Sequence, residues 1–202
     1  MKKSMHTILI ILGIVVFLLL VSVLWFITTY NRLIQLSENV NNAWAQVENQ
    51  YQRRADLIPN LIETVQGAAD FEKETQTEIT ALRTQALSAK AAWDNAKTQE
   101  EKIAAAKQID SVATSFRNLN INVENYPQLK ATQNFETFQA QLEGTENRIA
   151  VERRRYNDAV KVYNIKIKRI PTIFVAKMFG FKEAQYFEVE EGKEASPKVS
   201  FG

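Results

Sequence analysis

FETFQAQLEGTENRIAVERRRYNDAVKVY, residues Phe135 to Tyr163, decides the fold. On a heptad its inward positions are Phe135, Phe138, Leu142, Thr145, Ile149, Glu152, Tyr156, Ala159 and Tyr163, spaced alternately by three and four without a slip. Such a repeat keeps one stripe of a helix turned toward a neighbour along its whole length. The stretch therefore predicts a long helix packed lengthwise on other helices. Thr145 and Glu152 are the polar members of the seam, and a carboxylate drawn out of water needs a cationic partner.

Upstream, Ile8 to Ile27 (ILIILGIVVFLLLVSVLWFI) is an apolar run of twenty residues without a charge. At about 1.5 Å per residue it covers roughly 30 Å, the thickness of a hydrocarbon core. Trp25 and Tyr30 fall where an interfacial aromatic belt belongs. The run exceeds the apolar core of a signal peptide and no small-residue cleavage site follows, so an uncleaved anchor is expected. Lys2 and Lys3 flank one end; the other offers only Arg32 in its first twenty residues. The positive-inside rule then places the N-terminus in the cytoplasm and the remainder outside.

From Asn31 the pattern is helical through Leu33, Leu36, Val40, Trp44, Val47, Tyr51, Ile58, Leu61 and Val65, with nothing to separate it from the anchor. Pro59 predicts a kink near Arg54–Ile58, and Gly67 a terminus. A second helix is expected over Asp70–Asn95 through Phe71, Thr75, Ile79, Leu82, Ala86, Ala89 and Trp93, with Thr98 supplying cap chemistry for the next. The third, from Gln99, carries Ile109, Val112, Phe116, Leu119, Val123 and Tyr126, and Pro127 ends it. Pro171 closes the fourth.

Composition narrows the function classes. The 202 residues include no cysteine and one histidine, His6, in the N-terminal tail. Thiolate and histidine metal sites, disulfides, and Ser-His or Cys-His dyads within the folded part are thereby excluded. The 25 basic residues include Lys2 and Lys3, which leaves 23 to match 23 acidic ones beyond the anchor. That balance, without a basic aromatic face, argues against nucleic acid.

Three blocks carry a family resemblance: YNRL at Tyr30–Leu33, NAWAQVENQYQRRADLIPNLIETVQG at Asn42–Gly67, and YPQLKATQNFETFQAQLEGTENRIAVERRRYNDAVKVYN at Tyr126–Asn164. FGF at Phe179–Phe181, YF at Tyr186–Phe187 and PKVSF at Pro197–Phe201 complete them. Across nearly its whole length the chain resembles the LemA family of bacterial membrane-anchored helical proteins. The resemblance implies a short N-terminal segment, one membrane helix and an antiparallel helical bundle, and brings no reaction with it. Residues Phe71–Asn120 rest on periodicity alone.

The expected architecture is all-α: a tail (1–7), a transmembrane helix (8–29), an elongated antiparallel four-helix bundle (30–169), then an apolar segment with a flexible C-terminal tail (170–202). In an up-down-up-down bundle the first and last helices are antiparallel neighbours, so facing residue numbers should sum to roughly 200. Arg54 then meets the level of Glu143, Glu146 and Glu152. The polar set Arg53, Arg54, Asp56, Asn60, Glu143, Glu146, Asn147, Arg148 and Glu152 reads first as an ion network that fixes register, and second as a groove for a peptide or small ligand. Arg153, Arg154 and Arg155 fan around the helix and are expected to be solvated or ion-paired.

The last helix should return Ile170 toward the bilayer. Ile173, Phe174, Lys177, Met178, Phe179, Phe181 and Lys182 could then lie in the membrane interface or fold back over the bundle end. PKVSF reads either as a docking peptide or as a strap. No catalytic, cofactor or metal residues are assigned. The expected function is a non-catalytic envelope scaffold or adaptor, with a ligand-binding sensor or regulatory subunit as the alternative. Its partners would be the lipid bilayer and another membrane or envelope protein, with homo-oligomers compatible.

Overall fold

The computed structural model describes residues 2–68, 71–118 and 133–187. They form five helices: α1 (Lys2–Ala68), α2 (Lys73–Asn95), α3 (Gln99–Asn118), α4 (Gln133–Lys168) and α5 (Thr172–Met178). The protein is all-α, with one long apolar N-terminal helix leading into an antiparallel bundle. The predicted end of the third helix near Pro127, and the PKVSF tail, lie outside the described residues.

The apolar run and the first bundle helix are one element. α1 continues from Lys2 to Ala68, and Pro59 sits inside it. No glycine or proline lies between Ile27 and Asn31, and Thr28 turns its hydroxyl back to the Trp25 carbonyl (2.9 Å) instead of capping a new helix, so the backbone continues without a break. From Leu9 to Ile27 the side chains are exposed except Phe26, which is half-buried, and α1 is the helix among those described that is long and apolar enough to cross a membrane. The chain divides into two compact units, one built from Met1–Ala43 with Tyr156–Glu188, the other from Trp44–Arg155.

In the Trp44–Arg155 unit, pairings between helices fix the directions. Asp56 of α1 meets Lys90 of α2 while Glu63 meets Arg83, so α1 and α2 run antiparallel. Glu48 meets Lys102 and Arg54 meets Asp110, so α1 and α3 run parallel. Arg54 meets Glu146 while Tyr51 lies against Arg153, so α1 and α4 are antiparallel again. This is up-down-up-down topology. The core is the predicted stripes meeting: Val47, Tyr51, Ile58, Leu61 and Val65 of α1; Ile79, Leu82, Ala86, Ala89 and Trp93 of α2; Ile109 and Val112 of α3; Leu142 and Ile149 of α4. The α2–α3 corner is held by a capping box. Thr98 Oγ1 accepts from the Glu101 amide (3.2 Å), and the Glu101 carboxylate accepts from the amides of Thr98 (3.1 Å) and Lys97 (2.7 Å). Those amides hold the Glu101 carboxyl below the usual range.

In the other unit, α1 contributes Leu33, Leu36 and Val40, and α4 contributes Tyr156, Val160, Tyr163 and Ile167. α5 buries Thr172, Val175 and Ala176 and ends in a Schellman turn: the Phe181 amide donates to Ala176 O (2.9 Å) and the Gly180 amide to Lys177 O (3.4 Å). Gly180 takes φ +72°, where a Cβ is disfavoured by the backbone itself, although nothing lies within 4 Å of it. Gly180→Ala should therefore cost about 1 kcal/mol. Gly144, inside α4 at ordinary helical angles and with equally open surroundings, should gain about 0.5–1 kcal/mol as Ala. Thermal unfolding of the two variants should move in opposite directions.

Candidate functional site

The densest meeting of charges is in the Trp44–Arg155 unit and centres on Asp110 of α3. Arg54 Nη1 reaches Asp110 Oδ1 at 2.7 Å, and Arg54 Nη2 reaches Glu146 Oε1 at 2.8 Å. Arg153 bonds the other Asp110 oxygen, and Arg117 meets Glu146 Oε2 at 3.1 Å. Tyr51 completes the group by donating its hydroxyl to Asp110 Oδ2 at 3.0 Å. Arg54 is 5% exposed, and three helices converge on it. Three guanidinium groups face two carboxylates, so the cluster carries one net positive charge. Its chemistry is that of a register lock: each carboxylate oxygen is matched by a donor from another helix.

An aromatic layer adjoins it. The Arg153 guanidinium lies 5.2 Å from the Tyr51 ring centre, and Tyr51 stacks on Trp93 at 5.5 Å. Trp93 donates its indole N–H to Gln52 Oε1 (2.8 Å), with Lys102 Nζ 4.5 Å over its ring. Burial, and then the Asp110 charge, push the Tyr51 hydroxyl far above its ordinary pKa, so it stays a donor.

The structure distributes the nine polar residues singled out in the sequence. Arg54 and Glu146 meet, at a register where their numbers sum to 200. Asp56 pairs with Lys90, which also reaches Asp94 at 3.1 Å. The hydrogen bond to Asp56 raises the Lys90 pKa, and that to Lys90 lowers the Asp94 carboxyl. Glu152 is bound by Arg155 at 2.7 Å, Glu143 accepts from Gln139, and Arg53, Asn60, Asn147 and Arg148 are exposed. Asp110, Arg117 and Tyr51 were not among the nine, nor was Arg153. Register between the first and last helices alone does not reach Asp110 or Arg117, which sit on α3, because a bundle helix touches two neighbours. An acid beside the Ile109 seam position of the third helix was the available signal.

A second polar arrangement lies in the other unit. Residues 182–187 have no regular secondary structure, yet side chains of α4 satisfy their backbone. Asn164 accepts from the Ala184 amide (2.9 Å) and donates to the Ala184 carbonyl (2.8 Å). Asn157 does the same for Phe187, at 2.9 and 3.0 Å. Tyr163 donates to Lys182 O (2.9 Å) and Tyr156 to Gln185 O (2.5 Å). The two Tyr-Asn pairs stand seven residues apart on α4, a rise of about 10.5 Å. Their targets stand three apart on an extended chain, about 10 Å. The matched rises let one helix face read an extended backbone. Tyr156 and Tyr163 were visible on the heptad, and the repeated Tyr-Asn dipeptide was the unused clue to the rest.

The seven residues proposed for the membrane interface lie in this same unit. Phe174, Lys177, Met178, Phe179 and Lys182 are exposed, while Ile173 and Phe181 are half-buried. Phe179 packs on Tyr30 (4.5 Å between ring centres) and Phe26 (5.6 Å).

Among the described residues no group of three or more His, Cys, Asp or Glu side chains is placed to hold a metal ion. Fold and site together define an all-α protein with a membrane-length N-terminal helix and an internally paired polar centre. The LemA family profile matches residues 43–201, and the chain belongs to that family. It is 28% identical to Magnetosome protein MamQ 2 of Paramagnetospirillum magneticum over 83% of this chain and 69% of that protein. It is 26% identical to Protein LemA of Metamycoplasma hominis over 87% and 77%, and 25% identical to Magnetosome protein MamQ of Magnetospirillum gryphiswaldense over 82% and 68%.

Proposed function

We propose that this chain is a non-catalytic scaffold or adaptor, held in the bacterial cell envelope by α1 and acting through protein–protein contacts. The observation that carries the reading is the internal pairing around Asp110, where Arg54, Arg153 and Tyr51 converge on one carboxylate. Catalytic groups are held for a substrate; these are held for one another. Relatives named for the magnetosome in two bacteria, and for the family alone in a third, fit an architecture that serves different assemblies.

The orientation we favour puts the N-terminus in the cytoplasm, because Lys2 and Lys3 flank one end of the apolar run and Arg32 the other. The chain has no native cysteine, and Leu87 is 51% exposed. A Leu87→Cys protein should therefore react with a membrane-impermeant maleimide in intact cells. Protection relieved only by lysis would make the bundle a cytoplasmic adaptor.

One observation supports the alternative, a sensor binding a peptide or small ligand between helices. Gln50 Oε1 and Arg54 Nε, one helical turn apart on α1, are buried without a hydrogen-bond partner. A ligand seated there would raise the melting temperature of the full-length protein in detergent. The scaffold reading expects no shift across a panel of short peptides and polar metabolites, and a shift abolished by Gln50→Leu would replace it with the sensor.

A further inference from the structure

We infer that the face of α5 carrying Phe174 and Met178, with Ile170 leading into it, lies in the interfacial zone of the lipid bilayer that α1 spans. The helix is two-sided. Thr172, Val175 and Ala176 are buried, whereas Phe174 and Met178, one turn apart, are 67% and 69% exposed, and Ile170 is 75% exposed. Three large apolar side chains in a row are not left in water without a reason.

Position within the unit names the occupant. Phe179, at the end of α5, packs on Phe26 and Tyr30, the last apolar turn of α1 and the aromatic residue just beyond it. Tyr30 also meets Phe181 edge-on at 6.0 Å. α5 is thus fastened to α1 where the apolar run gives way to Thr28, Thr29 and Asn31, the level at which a spanning helix passes from acyl chains to headgroups. Phe179, itself 47% exposed, joins the end of α5 to this level of α1. Lys177 and Lys182 are exposed beside it, and their long stems let ammonium groups reach phosphates while the stripe sits deeper. A bilayer with anionic headgroups satisfies the apolar stripe and the lysines together. The Schellman turn at Gly180 then carries the chain away from the membrane and onto the Tyr-Asn ladder.

This inference rests on the reading that α1 spans a membrane, and the test separates the two. Single cysteines replace Phe174, Leu18 and Lys161 in the full-length protein. Each is labelled with an environment-sensitive fluorophore and reconstituted in phosphatidylcholine vesicles containing phosphatidylglycerol. Leu18 reports the span, and Lys161, exposed on α4, reports water. The Phe174 label should be quenched several-fold more by lipids bearing a nitroxide near the headgroup than by aqueous iodide, with the reverse at Lys161. If the Phe174 label behaves like that at Lys161 while Leu18 is reached only from lipid, the inference fails and the anchor stands. If Leu18 too is open to iodide, the spanning reading fails and takes the inference with it. A Phe174 label shielded from both quenchers means that protein covers the stripe, which also overturns the inference. The double variant Phe174→Ser, Met178→Ser alters only exposed side chains. In vesicles it should be cut by trypsin at Lys177 and Lys182 several-fold faster than wild type, and at the same rate in detergent. Equal rates in vesicles would count against bilayer shielding.

Discussion

Asp110→Ala should destabilise the protein by about 3 kcal/mol, the scale for breaking a largely buried ion pair by removing one partner. It leaves the Arg54 and Arg153 guanidinium groups facing each other across the space the carboxylate held, and strips the Tyr51 hydroxyl of its acceptor. Arg54 would keep Glu146, but Arg117 already shares that carboxylate. Arg54→Met should cost far less, about 1 kcal/mol, because Asp110 retains Arg153 and Tyr51 while Glu146 retains Arg117. Denaturant unfolding of the full-length protein in detergent would measure both. An Arg54 variant weaker than the Asp110 variant would show that the lock is organised around the cation instead.

The same cluster sets an alkaline limit. Tyr51 has its hydroxyl pKa raised in the folded state by burial and by Asp110, so folding favours the neutral phenol. The stability this contributes is fully present below the unfolded phenol's pKa, near 10, and is lost progressively as pH rises above it. Unfolding midpoints should therefore fall more steeply above that pH in wild type than in Tyr51→Phe. Parallel curves for the two proteins would remove Tyr51 from the explanation.

The second large effect is expected at the ladder. Asn157→Ala with Asn164→Ala deletes four of the six hydrogen bonds from α4 side chains to the backbone of residues 182–187. At about 0.5–1.5 kcal/mol net for each bond, the segment loses roughly 2–6 kcal/mol of attachment. Phe187, 1% exposed in the folded chain, would then leave its site. Hydrogen exchange should show the amides of Ala184 and Phe187 losing protection while those of α2 and α3 keep theirs. Asn164→Asp is the informative single change. Its carboxylate still accepts from the Ala184 amide, but it is buried and faces the Ala184 carbonyl with no proton between them, so protection at Ala184 should fall at least as far as in Asn164→Ala. Unchanged exchange in the double variant would mean that Phe187 and the tyrosines hold the segment unaided.

The helices themselves were legible because each buries one stripe, and a stripe of period 3.5 to 3.6 is written in the order of the residues. Leu33 to Val65, Ile79 to Trp93 and Phe135 to Tyr163 turned inward as their spacing required, with Trp44, Phe138, Glu152 and Ala159 only half-buried, and Thr98 with Glu101 capped α3 as that pair of residue types does. The twenty-residue apolar run of α1 was legible, from its length and composition, as a helix long and apolar enough to cross a membrane. Which charges would meet was another matter. Arg54 advertised its need for a partner, but Asp110 lies 56 residues away on a helix whose rotation is fixed only when four stripes pack at once. The binding of residues 182–187 was hidden for a related reason. Their backbone is held by α4 side chains through contacts 19 to 30 residues apart, so nothing in the segment's own composition records them. Local periodicity is a property of the chain; the pairing of polar groups between elements exists only once tertiary packing has set their distances.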